Sequence, residues 1–232
     1  MEILSPYFER NIRCHLCEQP FTTTKIRSRF VKLKGLDTDF CPLYISKELN
    51  PLIYNVHVCP HCGYSFTDDF YPKFIPAIKD KLALTLFERW TPKNYGGHRT
   101  IEESINTYKL AIFCGIEKKE KHIVIAGLYL RTAWLYRIMN NHEEEQRFLK
   151  LAVQEYVNAY LIEDVPRYGM SEVKLLYLIG ELSRRTGQYI QAASYFSRVF
   201  QLRKHTIEKR IVEMARDQWY LTREAYKKSA TN

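Results

Sequence analysis

Four cysteines in two matched pairs carry the first chemistry in this chain: Cys14-His15-Leu16-Cys17 and Cys59-Pro60-His61-Cys62-Gly63. Two residues between cysteines let a tight turn aim both sulfurs at one point. Four thiolates gathered this way hold an ion tetrahedrally, at metal–sulfur distances of about 2.3 Å for zinc. Pro60 restricts one φ of the second turn. Gly63 follows it, where a chain bending around a metal often takes φ > 0. The spacing predicts a structural zinc ion held by Cys14, Cys17, Cys59 and Cys62. Four thiolates leave no coordination position for water, so zinc-dependent catalysis is not predicted. A variant set replaces one of these with His15, His57, His61 or Cys41. Free buried thiols or two disulfides are the competing readings, and two matched clips weigh against both.

Asp37, Asp39, Cys41 and Tyr44 form a second cluster of reactive types. With Arg27 and Arg29 they could build a small anion-binding or acid–base pocket. The plainer reading is a turn whose carboxylates cap backbone N–H groups and pair with nearby arginines. General-base work needs a positioned partner and a shifted pKa, and a sequence shows neither. Lys25, Arg27, Arg29, Lys32 and Lys34, with Phe30 among them, could track a phosphate backbone, or they could line a solvated strand face. A second basic group, Arg198, Arg203, Lys204, Lys209 and Arg210, straddles a helix end, where cations complement the dipole. Cys114 sits in apolar Ala-Ile-Phe-Cys-Gly-Ile and reads as a buried thiol. No catalytic triad order, phosphate-binding glycine loop or His-Glu-x2-His stands out.

These groups need elements to position them. The 232 residues allow one large or two modest domains, with 46% hydrophobic and 26% charged residues, as in ordinary globular proteins. No apolar run approaches the ~20 residues of a membrane span. Met-Glu-Ile-Leu-Ser-Pro lacks the pattern of a secretory signal, so a cytoplasmic location with reduced cysteines is expected, and no membrane partner. The formal charge of +9 permits contact with nucleic acid, acidic protein or anionic lipid.

In order, residues 1–13 read as a lead-in with Ile3, Leu4, Tyr7, Phe8 and Ile12 covering a neighbouring surface. Residues 21–34 read as an extended strand or hairpin, with Lys25, Arg27 and Arg29 on one side. Asp, Thr and Pro mark 36–44 as turn-rich, and Leu-Ile-Tyr-Asn-Val-His-Val over Leu52–Val58 reads as a strand delivering Cys59. Residues 1–66 are thus expected to form a small β unit that needs a metal staple. Residues 67–99 are a transition with one helix over 77–89 and a loop at 91–97. Residues 100–232 are helical, with helices near 101–115, 119–140, 142–162, 171–186, 189–203 and 206–228. Thr100 and Glu103 form a capping box at the first of these.

Within that helical part, Leu176-x2-Ile179-Gly180 and Gly187-x-Tyr189-x2-Ala192-x3-Phe196-x2-Val199 resemble a tetratricopeptide repeat, small residues marking a close helix crossing. A weaker unit runs through Tyr129, Ala133, Tyr136, Leu149 and Ala152, departing at Glu145. Ser104-x3-Tyr108-x2-Ala111 matches by half. The expected fold is mainly α, with tetratricopeptide-like stacked helical hairpins behind a small zinc-ribbon-like β unit. Stacking follows because each amphipathic pair leaves an apolar face for a neighbour.

Taken together, the chain resembles a bacterial family of unknown function that joins a zinc-ribbon-like unit to tetratricopeptide-like helices. The resemblance rests on both cysteine clips, on Arg27-Ser28 through Asp37-x-Asp39-Phe40-Cys41-Pro42 to Tyr44, on Asn50-Pro51-Leu52-Ile53-Tyr54 and on Tyr64 after the second clip. It implies the layout and the zinc, and no activity. The function expected is a non-enzymatic adaptor or scaffold that binds a protein partner through its helical surface, self-association included. A nucleic-acid accessory factor using the basic strand is the alternative, and an enzyme using the Asp37–Tyr44 pocket the third reading.

Overall fold

The computed structural model describes residues 4–230; Ile3 of the expected lead-in lies outside them. β1 (Tyr7–Arg13) and β2 (Pro20–Ile26) pair antiparallel from Tyr7↔Ile26 to Arg13↔Pro20, and their turn carries Cys14 and Cys17. The lead-in is therefore a strand. Its polar Glu9-Arg10-Asn11 centre conceals it locally, and pairing with Thr22–Thr24 supplies what propensity lacks.

The expected continuous strand over 21–34 breaks. The chain leaves the ladder after Ile26, with the Arg27 N–H donating to Pro6 O at 2.8 Å, and makes a 3₁₀ turn at Ser28–Phe30. It resumes as β3 (Leu33–Leu36), paired with β4 (Pro42–Tyr44) across a register shift between Leu33 and Gly35. Arg27 and Arg29 consequently lie off the strand that carries Lys25. The Leu52–Val58 strand shortens too. Pro51–Tyr54 is a 3₁₀ turn, because Pro51 presets φ and Asn50 Oδ1 accepts the Leu52 N–H at 2.9 Å. Only β5 (His57–Val58) pairs, with β6 (Ser65–Phe66). Burial of Leu52, Ile53 and Tyr54 explains their strand-like composition without a strand.

Seven α-helices follow among the described residues: α1 (Pro76–Arg89), α2 (Ile101–Lys118), α3 (His122–Ile138), α4 (His142–Ile162), α5 (Glu172–Arg185), α6 (Tyr189–Gln201) and α7 (Lys209–Ala230). The Thr100 capping box forms: Thr100 Oγ1 accepts the Glu103 N–H at 3.1 Å, and Glu103 Oε2 accepts the Thr100 N–H at 3.2 Å. Asn141 and Ser171 cap α4 and α5 through the N–H groups of Glu144 and Lys174. No helix among the described residues is long and apolar enough to cross a membrane.

The described residues form two compact units. One comprises the chain to Leu36, Pro42–Glu120 and Trp134–Asn140. In it α2 packs against β5, β6 and the Pro51–Tyr54 turn. Tyr108 OH donates to Leu52 O at 3.1 Å and Ser104 Oγ to Ile53 O at 3.0 Å. Arg99, buried, donates to Tyr95 O (2.5 Å) and Val56 O (2.8 Å), so backbone carbonyls satisfy a charge sealed beneath the hairpins.

The other unit comprises Asp37–Cys41, Lys121–Ala133 and the chain from Asn141. Its centre is α5, buried from Val173 to Ser183 apart from Lys174 and packed by α4, α6 and α7. Gly180 lets α6 approach: a Cβ there would meet Phe196 Cε1 at 2.8 Å.

Candidate metal centre

The two clips fold alike. In the first, the Cys14 N–H donates to Gln19 O (3.0 Å) and the Glu18 N–H to Cys14 O (3.0 Å). In the second, the Cys59 N–H donates to Tyr64 O (3.0 Å) and the Gly63 N–H to Cys59 O (2.9 Å). Each turn needs a left-handed residue four places after its first cysteine: Gly63 at φ 75° and Glu18 at φ 61°. The first position was not legible, since glutamate does not announce a left-handed conformation. Trp90, just past α1, covers the second turn and donates from Nε1 to Pro60 O at 3.1 Å. A Cβ on Gly63 would lie 2.5 Å from the Trp90 ring. Gly63→Ala therefore combines left-handed strain with overpacking, and urea denaturation should show a loss of about 3 kcal/mol. Adding Trp90→Leu should restore the overpacking share only.

All four sulfurs lie within 4.8 Å of one another. Cys14 Sγ–Cys62 Sγ and Cys17 Sγ–Cys59 Sγ are each 3.7 Å. A tetrahedron with metal–sulfur arms of 2.3 Å has sulfur–sulfur edges of about 3.8 Å, whereas a disulfide needs about 2.05 Å. The residues therefore fit a four-thiolate metal site, and all six cysteines are free thiols. The mutual electrostatics of the four sulfurs agree with a need for a cation. Hydrogen bonds from Cys14 and Cys62 hold the Cys59 thiol well below the usual thiol range, while the bond to Cys59 pushes Cys14 above it. Cys62 is raised by its bonds to Cys14 and Cys59. One sulfur alone ionises readily; a second thiolate beside it needs a compensating positive charge.

Cys14 and Cys59 are buried and Cys17 and Cys62 half-buried. The exposed edge opens into a groove of about 590 Å³ floored by Cys17 and Cys62 and walled by Leu84, Phe87 and Trp90. The alternative ligands go elsewhere. His15 lies against Phe66, ring centroids 4.4 Å apart. His57 Nε2 is 3.3 Å from Asp68 Oδ1, and burial pushes this histidine down to about 4. His61 lines the groove. The Cys41 N–H donates to Asp39 Oδ1 at 3.2 Å in the other unit. Cys114 is fully buried, with its thiol pushed up to about 12 by burial.

The second cluster takes its cations from α5. Arg185 Nη2 is 2.8 Å from Asp37 Oδ1, Arg185 Nη1 3.9 Å from Asp39 Oδ2 and Arg185 Nε 2.7 Å from Glu181 Oε1. Arg184 forks onto Glu181 with two 2.8 Å bonds. Thr38 Oγ1 donates to Glu181 Oε1 (2.5 Å) and Tyr177 OH to Thr38 O (2.7 Å). The carboxylates also cap their own loop, Asp37 Oδ1 accepting the Thr38 N–H at 2.7 Å. With the Lys174 ammonium 5.0 Å from the Phe40 ring, residues 174, 177, 181 and 185 make one helical stripe gripping the loop. Glu181 and Arg185 were missed because a charged residue inside an apolar stretch does not name its partner.

Arg27 and Arg29 make their contacts in the first unit. Arg27 Nε donates to Ser5 O at 3.2 Å and its guanidinium sits 5.1 Å over Phe8, while Arg29 sits 5.0 Å over Phe30. Tyr44 pairs with Leu33 in the β3–β4 ladder. Lys25 is half-buried, and desolvation pushes its ammonium down to about 8.

Comparison with curated proteins and with solved structures returned no match. A family model described as an uncharacterized protein conserved in bacteria matches residues 7–222, which takes in both cysteine clips, the Asp37–Cys41 loop and α1 to α6 entire. With nearly its whole length matched, the chain belongs to that bacterial family, DUF2225.

Proposed function

We propose that this chain is a non-enzymatic, zinc-containing scaffold protein of the cytoplasm that holds a segment of another protein on its helical surface. Zinc on Cys14, Cys17, Cys59 and Cys62 would be structural, completing a zinc-ribbon-like pair of hairpins; the matched turns and the 3.7 Å sulfur spacings support it. Tetratricopeptide-like stacking of α4 to α7 is supported by the close approach at Gly180 and the packing of α5 on its neighbours.

The observation that carries the partner reading is a groove of about 750 Å³ lined by Tyr189, Ile190, Tyr195, Arg198 and Tyr226. Tyrosine and arginine are enriched in binding hot spots between proteins, and tyrosine offers large contact area at low entropic cost. Arg198 lies 5.2 Å over the Tyr195 ring and 5.6 Å over Tyr160, a stack already assembled before any partner arrives.

A photo-crosslinking residue at Ile190, 74% exposed in the groove, tests this against one at Ile207, 96% exposed before the far end of α7. Crosslinks to protein from position 190, absent from 207 and lost with Arg198→Glu, are expected. Equal yields at both positions, or none above background, would remove the reading. A crosslinked second copy of the chain would make the partner itself.

A further inference from the structure

We infer that the β3–β4 hairpin is a contact site for an anionic lipid surface. Four large aliphatic side chains stand exposed on these two short strands and the residue after them: Leu33 (50%), Leu36 (58%), Leu43 (44%) and Ile45 (66%). The ladder places them on both faces. Leu33 pairs with Tyr44, so the two share a face, and alternation puts Leu43 and Ile45 on the opposite one.

The exposed charges on the two strands and just before them are cationic, Glu48 after Lys47 being acidic. Arg29, Lys32, Lys34 and Lys47 are exposed and form no ion pair among the described residues. Elsewhere in the same unit Lys79, Lys81 and Lys93 each pair with a glutamate. Between Arg27 and Lys47 the acidic residues are Asp37 and Asp39, and both face Arg185. The hairpin therefore offers uncompensated cations to an anionic partner.

The side-chain types choose among anionic partners. Nucleic-acid strands are held by aromatic platforms on which bases stack, and the exposed set here is aliphatic. Protein interfaces enrich tyrosine, tryptophan and arginine and deplete lysine, and leucine is under-represented in their hot spots. Lysines beside leucines suit the bilayer interface, where aliphatic chains enter the acyl boundary and ammonium groups reach the headgroups. This contact is peripheral, so the absence of a spanning helix among the described residues does not bear on it.

The test is co-sedimentation of the full chain with vesicles of equal parts phosphatidylcholine and phosphatidylglycerol, against phosphatidylcholine alone. Binding to the anionic vesicles only, falling with added salt, is expected. Lys32→Gln with Lys34→Gln should weaken it about thirtyfold, and Leu43→Asn with Ile45→Asn about tenfold or more. All four positions are exposed, so unchanged melting of both variants confirms that folding is intact. No retention on anionic vesicles overturns the inference. So does retention that either double variant leaves unchanged, or that single-stranded nucleic acid abolishes at equal charge. The crosslinking result at Ile190 is independent of all these outcomes.

Discussion

Cys59→Ser, or removal of the ion by a strong chelator, is expected to unfold the hairpins β1–β2 and β5–β6 while α4 to α7 keep their structure. The hairpins are short, and β5–β6 is only two residues on each strand. Between them Cys14 and Cys59 are buried. In small zinc modules the binding free energy is folding free energy, about 10 kcal/mol or more near neutral pH. No domain of ordinary stability absorbs such a loss in one of its cores. Hydrogen exchange read by mass spectrometry should show protection lost from residues 7–26 and 57–66 and kept in α5. Trp90, held against the second turn by its bond to Pro60, should report the same event through its fluorescence. Protein purified without added metal should contain about one zinc per chain by elemental analysis. A metal-free preparation with an unchanged melting profile would sink the zinc reading.

Glu181→Ala should cost about 3 kcal/mol, the largest expected effect of a single change in the helical unit. The Glu181 carboxylate is fully buried and accepts from Arg184, Arg185 and Thr38. Removing it leaves two guanidiniums partly withdrawn from water, 23% and 18% exposed, without their shared anion. Their residual hydration keeps the expected loss at the lower end of the range for broken buried pairs. Asp37 stays on Arg185, so the loop at 37–41 should loosen rather than detach. Urea denaturation gives the energy, and faster exchange at residues 38–41 gives the location. A loss under about 1 kcal/mol would mean that water already shares the cluster.

Local signals located much of this protein. The cysteine spacing named the four converging sulfurs, because a two-residue gap, and the glycine after the second clip, are properties of a few consecutive residues. The helices lie within a few residues of where apolar periodicity and caps put them, Thr100 being one such cap. Gly180 and Phe196 could be paired because two helices in a short hairpin must cross nearby.

What depended on distant partners was decided only by the tertiary structure. β1 exists because Thr22–Thr24 lie opposite its polar centre. Residues 21–34 break where Pro6 stands opposite Arg27: it accepts the Arg27 N–H but has no N–H to return, and the ladder ends there. Asp37 and Asp39 meet Arg185, about 150 residues along the chain, rather than the arginines a few residues before them. Electrostatic partners are chosen by proximity in space, and a sequence records proximity only along the chain. The same limit hid Trp90, whose position over Gly63 is set by the end of α1 packing against a turn that precedes it by almost thirty residues.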